Sequence, residues 1–176
     1  MENLYTPNCI RTFTGKYINI FEPDPMEIDI SDIAHALSHQ CRFGGHLPEY
    51  YSVAQHCVLV AEKVPQEYAM EALLHDASEA YLLDIPRPIK HRLTNYTEIE
   101  DKLMTVIAAK YGFQWPLNEV VKKADEKMLQ YEWDRIMLQK VSFDGFKCWS
   151  PTHAKKAFKA IYFELQDRKF RQMFNE

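Results

Sequence analysis

The chain has 176 residues and a mass of 20.8 kDa, enough for one ordinary domain with its own hydrophobic core and too few for two full ones. It is 47% hydrophobic and 26% charged, which excludes a disordered chain, and 21 Lys plus Arg against 25 Asp plus Glu give a net charge of −4 that offers no long-range attraction to a polymeric nucleic acid. No apolar run has the length of a membrane helix, and Met1-Glu2-Asn3-Leu4-Tyr5 lacks a signal-peptide pattern, so no membrane association and a cytoplasmic location are expected.

Thr12-Phe13-Thr14-Gly15-Lys16-Tyr17-Ile18-Asn19-Ile20 puts β-branched and aromatic residues around a glycine, which predicts a hairpin or extended arm over residues 1–29, with Pro23 and Pro25 barring helix. Ile30, Ile33, Ala34 and Leu37 recur at helical spacing, and this helix should end before Gly44-Gly45. After a loop through Arg42-Phe43-Gly44-Gly45-His46, Ser52 opens a second helix that Pro65 closes. The third, from about Gln66 to Leu83, has an apolar face broad enough for a central helix, and Asp84-Ile85-Pro86-Arg87-Pro88 must end or redirect it.

A fourth helix runs from Tyr96 to near Gly112. Pro116 suits the first turn of a fifth, which reaches Met137 and can break once. Ser150-Pro151 caps the last helix, whose end, Phe170 to Phe174, is apolar enough to dock on this subunit or on another in a homo-oligomer. The fold class is all-α: a compact bundle of about six helices over 30–176, a single domain behind the N-terminal arm. Cys9, Cys41, Cys57 and Cys148 have no metal-type spacing and are expected to be buried thiols rather than bridges.

Chemistry concentrates on the third helix. His75-Asp76 lies among apolar residues, where an unpaired carboxylate is costly, and Glu79 falls within one turn of both. His56 and Asp125 are polar residues at or beside apolar stripes on two other helices. The four either converge on a metal or form capped and salt-bridged core groups. A set of two imidazoles and two carboxylates suits Mn, Co, Fe, Ni or Zn without choosing among them.

The order His56, then His75-Asp76, then Asp125 resembles the HD superfamily of metal-dependent phosphohydrolases, whose all-helical domain carries one His, an adjacent His-Asp pair and a distal Asp. His75-Asp76-Ala77-Ser78-Glu79, Asp84-Ile85-Pro86-Arg87-Pro88 and Lys122-Lys123-Ala124-Asp125 are similar to its bacterial 5′-deoxynucleotidase branch and to small phage deoxynucleoside triphosphate hydrolases. The likeness spans roughly residues 30 to 140. It implies an HD-type helical bundle in which His56, His75, Asp76 and Asp125 hold one divalent ion, Glu79 orients or deprotonates water, and Asp84 assists the leaving oxygen. Arg42-Phe43 matches an Arg-Trp pair that meets phosphate and sugar in that branch, with Phe in place of Trp. His46, Arg87 and Lys90 are further candidates for phosphate contact.

The implied activity is hydrolysis of a small nucleotide, first a deoxynucleoside 5′-monophosphate to deoxynucleoside and phosphate. The alternatives are a dNTP triphosphohydrolase, with dATP a candidate substrate, whose N-terminal arm closes on the base, or a non-catalytic regulatory module with a metal.

Overall fold

The structure, a computed structural model, describes residues 7–138 and 146–174. Cys9–Arg11 (β1) and Tyr17–Asn19 (β2) form an antiparallel hairpin with Ile10 opposite Ile18. Its turn closes through Thr12 N–H to Lys16 O at 2.8 Å, with Gly15 at φ +87°, a conformation an L side chain resists. Ile18 points into the core and is fully buried.

Eight α-helical segments follow among the described residues: Ile30–His39 (α1), Val53–Ala61 (α2), Ala69–Leu74 (α3), Glu79–Leu82 (α4), Arg87–Lys90 (α5), Tyr96–Tyr111 (α6), Glu119–Glu132 (α7) and Pro151–Phe174 (α8). A π-helical turn, Trp133–Met137, extends α7. The caps lie where the residue types place them: Asp29 accepts from Ser31 N–H, Ser52 from Gln55 N–H, and Ser150 from His153 N–H. The compact all-α bundle with its N-terminal hairpin is thus the expected fold.

Three details differ. The expected third helix is divided, because residues 75–78 form tighter turns with bonds such as Ala77 N–H to Leu74 O and Glu79 N–H to Asp76 O. The cause is local: His75 Nδ1 lies 2.7 Å from Ala72 O, the carbonyl that a continuous helix would give to Asp76 N–H. Second, Pro116 stands ahead of α7 rather than in its first turn, and Asn118 is the cap, accepting from Val120 N–H. Third, the central helix is α2, with all of its residues except Leu59 buried and with α1, α3, α7 and α8 packed around it.

The core joins Ile18, Ile33, Leu37, Val53, Leu73, Met104, Val121 and Phe158 in one apolar cluster. The end of α8 stays outside it. Phe170, Met173 and Phe174 are exposed, so the docking expected for this segment is not made with the described residues of the chain. All four cysteines are free thiols, but only Cys57 is fully buried; Cys9, Cys41 and Cys148 are half-buried. No described helix is long and apolar enough to cross a membrane.

Candidate metal centre and its cleft

His56 enters from the middle of α2, His75 and Asp76 from the turn after α3, and Asp125 from α7. His56 and His75 are almost wholly buried, at 0% and 6% exposure. Their Nε2 atoms face each other at 3.3 Å. Asp125 Oδ1 lies 3.0 Å from His56 Nε2 and 3.7 Å from His75 Nε2, while Asp76 Oδ2 lies 3.8 Å and 3.3 Å from the same two atoms.

The other nitrogen of each ring has a hydrogen-bond acceptor as its neighbour. His56 Nδ1 is 2.6 Å from the carboxylate of Glu132, and His75 Nδ1 is 2.7 Å from the carbonyl of Ala72. Both partners accept, so a proton on each Nδ1 is the assignment that satisfies them, and it leaves the two Nε2 atoms as the pair facing the acids. Two ring nitrogens and two carboxylates brought together in a buried site call for positive charge, which a proton on His75 supplies in the metal-free protein and a metal ion can supply in its place. A metal ion bound by nitrogens at about 2.0–2.1 Å holds two neighbouring donors roughly 3 Å apart, which the observed separation matches. His56, His75 and Asp125 each place a donor atom within 4.8 Å of the other two, as do Cys57, His75 and Asp76. The cluster can therefore coordinate a divalent ion.

Charge in the metal-free centre is strongly biased. Burial opposes protonation of His75, but Asp76 and Asp125 outweigh it and push the imidazole up to about 9. Burial likewise opposes ionisation of Asp125, and the two imidazoles overcome it to hold that carboxyl far below its ordinary range. The Cys57 thiol is pushed well up by burial and then by Asp76 and Glu79, so it stands beside the cluster as a protonated group.

A cleft of about 910 Å³ opens onto this centre. Asp76 and Asp125 reach its floor, and Arg42, Phe43, His46, Glu79, Asp84, Arg87 and Lys90 line it, so the structure brings the sequence candidates to one place, with the two histidines behind the wall. Its volume falls within the roughly 300–1,000 Å³ usual for small-molecule sites. No residue of the described N-terminal arm lines it; the hairpin instead binds the start of α1, where Thr14 donates through N–H and hydroxyl to Asp32. The described part of the arm, residues 7–29, stands away from the cleft.

Glu79 opens α4 with its Oε2 buried and without a hydrogen-bond partner among the described residues. Burial, then Asp76 and Asp84, raise its pKa well above the ordinary value; Asp84 is raised too, by burial against the pull of Arg42. Gln40 spans these two acids, donating to Glu79 O at 2.9 Å and accepting from Asp84 N–H at 3.1 Å. Arg42 is fixed by Glu132 at 3.1 Å and Asp76 at 3.5 Å. Lys90 is tied to Glu100 at 2.6 Å, whereas Arg87 is exposed and has no partner among the described residues.

Sequence reasoning missed Glu132, Gln40 and Trp133, whose ring lies 6.0 Å from that of Phe43. Glu132 has a usable signal: it is seven residues after Asp125, two turns along the same helix face. Gln40 has none, being a polar residue at a helix end.

No family model matches the chain. It is 48% identical over 134 residues to the uncharacterized protein YfdR of Escherichia coli (strain K12), covering 76% of this chain and 75% of that one. It is 32% identical over 140 residues to the uncharacterized protein RCAP_rcc00048 of Rhodobacter capsulatus, covering 72% and 71%. Identity of this level across three quarters of both chains means that the protein belongs to the family of YfdR.

Proposed function

We propose that this protein is an HD-type metal-dependent phosphohydrolase that converts a deoxynucleoside 5′-monophosphate to deoxynucleoside and phosphate. The observation that carries this reading is the pair of Nε2 atoms 3.3 Å apart beside Asp76 and Asp125, behind a cleft that also holds a buried Glu79 carboxyl oxygen with no hydrogen-bond partner among the described residues. His56, His75, Asp76 and Asp125 hold one divalent ion, of the Mn, Co, Fe, Ni or Zn group. When bound, the ion neutralises charge on phosphoryl oxygens and lowers the pKa of water.

Glu79 orients the attacking water and takes its proton as the new O–P bond forms. The P–O5′ bond breaks, and Asp84 supplies the proton to the leaving oxygen. Arg42 directs its remaining N–H donors at the phosphate, with Arg87 and His46 near the entrance and Phe43 against the sugar. Arg42 and Lys90 are already paired with carboxylates, which leaves the cleft short of cations for a triphosphate and favours the monophosphate.

The test is a metal-reconstituted screen of nucleoside mono-, di- and triphosphates that measures nucleoside and phosphate products. Nucleoside plus inorganic phosphate from a deoxynucleoside monophosphate is expected. Tripolyphosphate from a dNTP would replace the substrate assignment, metal uptake without turnover would make the chain a regulatory module, and no metal uptake would reject the centre.

A further inference from the structure

Glu132 is a fully buried carboxylate at the end of α7, and it has no place in the ligand set or the chemistry proposed above. Buried charge without compensation is strongly unfavourable, so its partners indicate what it is for. Oε1 accepts from His56 Nδ1 at 2.6 Å and from the Tyr51 hydroxyl at 2.5 Å. Oε2 accepts from Arg42 Nε at 3.1 Å. One side chain thus holds both a centre imidazole and the cleft guanidinium, from the opposite side to the cleft.

We infer that Glu132 is the positioning residue of the centre: it locks His56 in the tautomer that turns Nε2 toward Asp125 and His75, and it sets the orientation of Arg42. Asp76 also holds Arg42, at 3.5 Å, but the effect on His56 cannot be supplied by the other neighbours. Asp76 and Asp125 touch only Nε2 of His56, and a ring free to place its proton there would lose its ligand lone pair. A carboxylate behind a ligating imidazole also makes the ring a stronger donor, and loss of such partners typically costs about 10–100-fold in metal affinity. Because Arg42 and His56 share this one anchor, metal site and anion site keep a fixed spacing. Trp133, the next residue, packs on Phe43, so two consecutive α7 residues hold two consecutive loop residues.

This inference rests on the proposed metal site, and the experiment separates the two. Wild type, Glu132→Gln and Tyr51→Phe are titrated with Mn²⁺ or Co²⁺ by calorimetry, alongside thermal melts of the metal-free proteins. Tyr51→Phe removes one bond to the same oxygen and leaves the His56 contact, so its metal affinity should stay within about threefold of wild type. Glu132→Gln should bind at least tenfold more weakly. A folded Glu132→Gln with unchanged affinity would overturn the inference alone, whereas failure of wild type to bind either ion would overturn the metal site itself.

Long-range ¹H–¹⁵N correlation on the metal-free wild type gives a second readout, needed if Glu132→Gln does not fold. His56 should carry a proton on Nδ1, hydrogen-bonded to a carboxylate. Observation of the Nε2–H tautomer, with Nδ1 bare, would refute the role of Glu132.

Discussion

Nε2 of His75 is a contested atom in the metal-free protein. Asp76 and Asp125 favour a proton on it, and a metal ion needs the same lone pair. Metal affinity should therefore rise as pH increases toward 9. Folding stability should move the other way: a pKa of about 9 in the folded chain against about 6.5 unfolded means that His75 stabilises fully below pH 6.5, and that the contribution is lost as pH climbs through 9. The loss is up to about 3 kcal/mol. Urea midpoints of chelated protein from pH 6 to 9.5, with metal titrations over the same range, test both directions; a flat pair of profiles would remove the Asp76 and Asp125 contacts from the account. Glu79 is predicted to serve water rather than metal, so Glu79→Ala should keep its metal and lose roughly 10²–10⁴-fold in kcat on the nucleotide identified by the screen. Equal kcat at full occupancy would make Glu79 a structural group. Asp84→Asn should have the smaller effect.

At the scale of elements, the instructive segment is the link between α4 and α5. Leu83 has φ 69° and ψ 155°, a region in which residues other than glycine are strained, and its side chain is 62% exposed and so gains little from burial. The Gln40 bridge between Glu79 O and Asp84 N–H spans this residue and maintains the conformation. Strain stored between two cleft acids is removable: Leu83→Gly should raise the melting temperature by roughly 2–4 °C, as a gain near 1 kcal/mol does in a chain of this size. An unchanged or lower value would mean that this backbone is not strained. Such a feature was not legible in the sequence, since Leu82-Leu83-Asp84 reads as the end of an ordinary helix. The same holds for the break at His75, where apolar spacing stays helical while a side chain takes the carbonyl that the helix would use. What was legible followed from residue type alone: the caps Ser52 and Ser150, the helix ends at proline and glycine, and four polar residues on apolar faces.

For the molecule as a whole, the hairpin tests whether the arm is an appendage or part of the folding unit. Its composition predicts a separate texture, and nothing in residues 7–29 shows which end of the bundle it meets. Packing supplies the answer: Ile18 and Ile28 are at 0% exposure inside the same apolar cluster as Leu37 and Leu103. Around them Lys16 pairs with Asp29 at 3.1 Å, and Lys110 of α6 donates to the carbonyls of Pro25 and Ile28. An arm tied to α1 and α6 in this way should melt with the bundle rather than before it. Ile18→Ala, which leaves a cavity in the common core, should cost about 2–5 kcal/mol. Met26, 78% exposed on the same arm, provides the comparison, and Met26→Ala should stay within about 0.5 kcal/mol. The measurement is urea unfolding of each full chain followed by helical circular dichroism, which reports the bundle, since the hairpin has no helix. A lowered midpoint of the helical signal in Ile18→Ala, at unchanged slope, is the expected result. An unaltered helical midpoint would mean that the arm folds independently and that its buried contacts do not support the helices that position the metal centre.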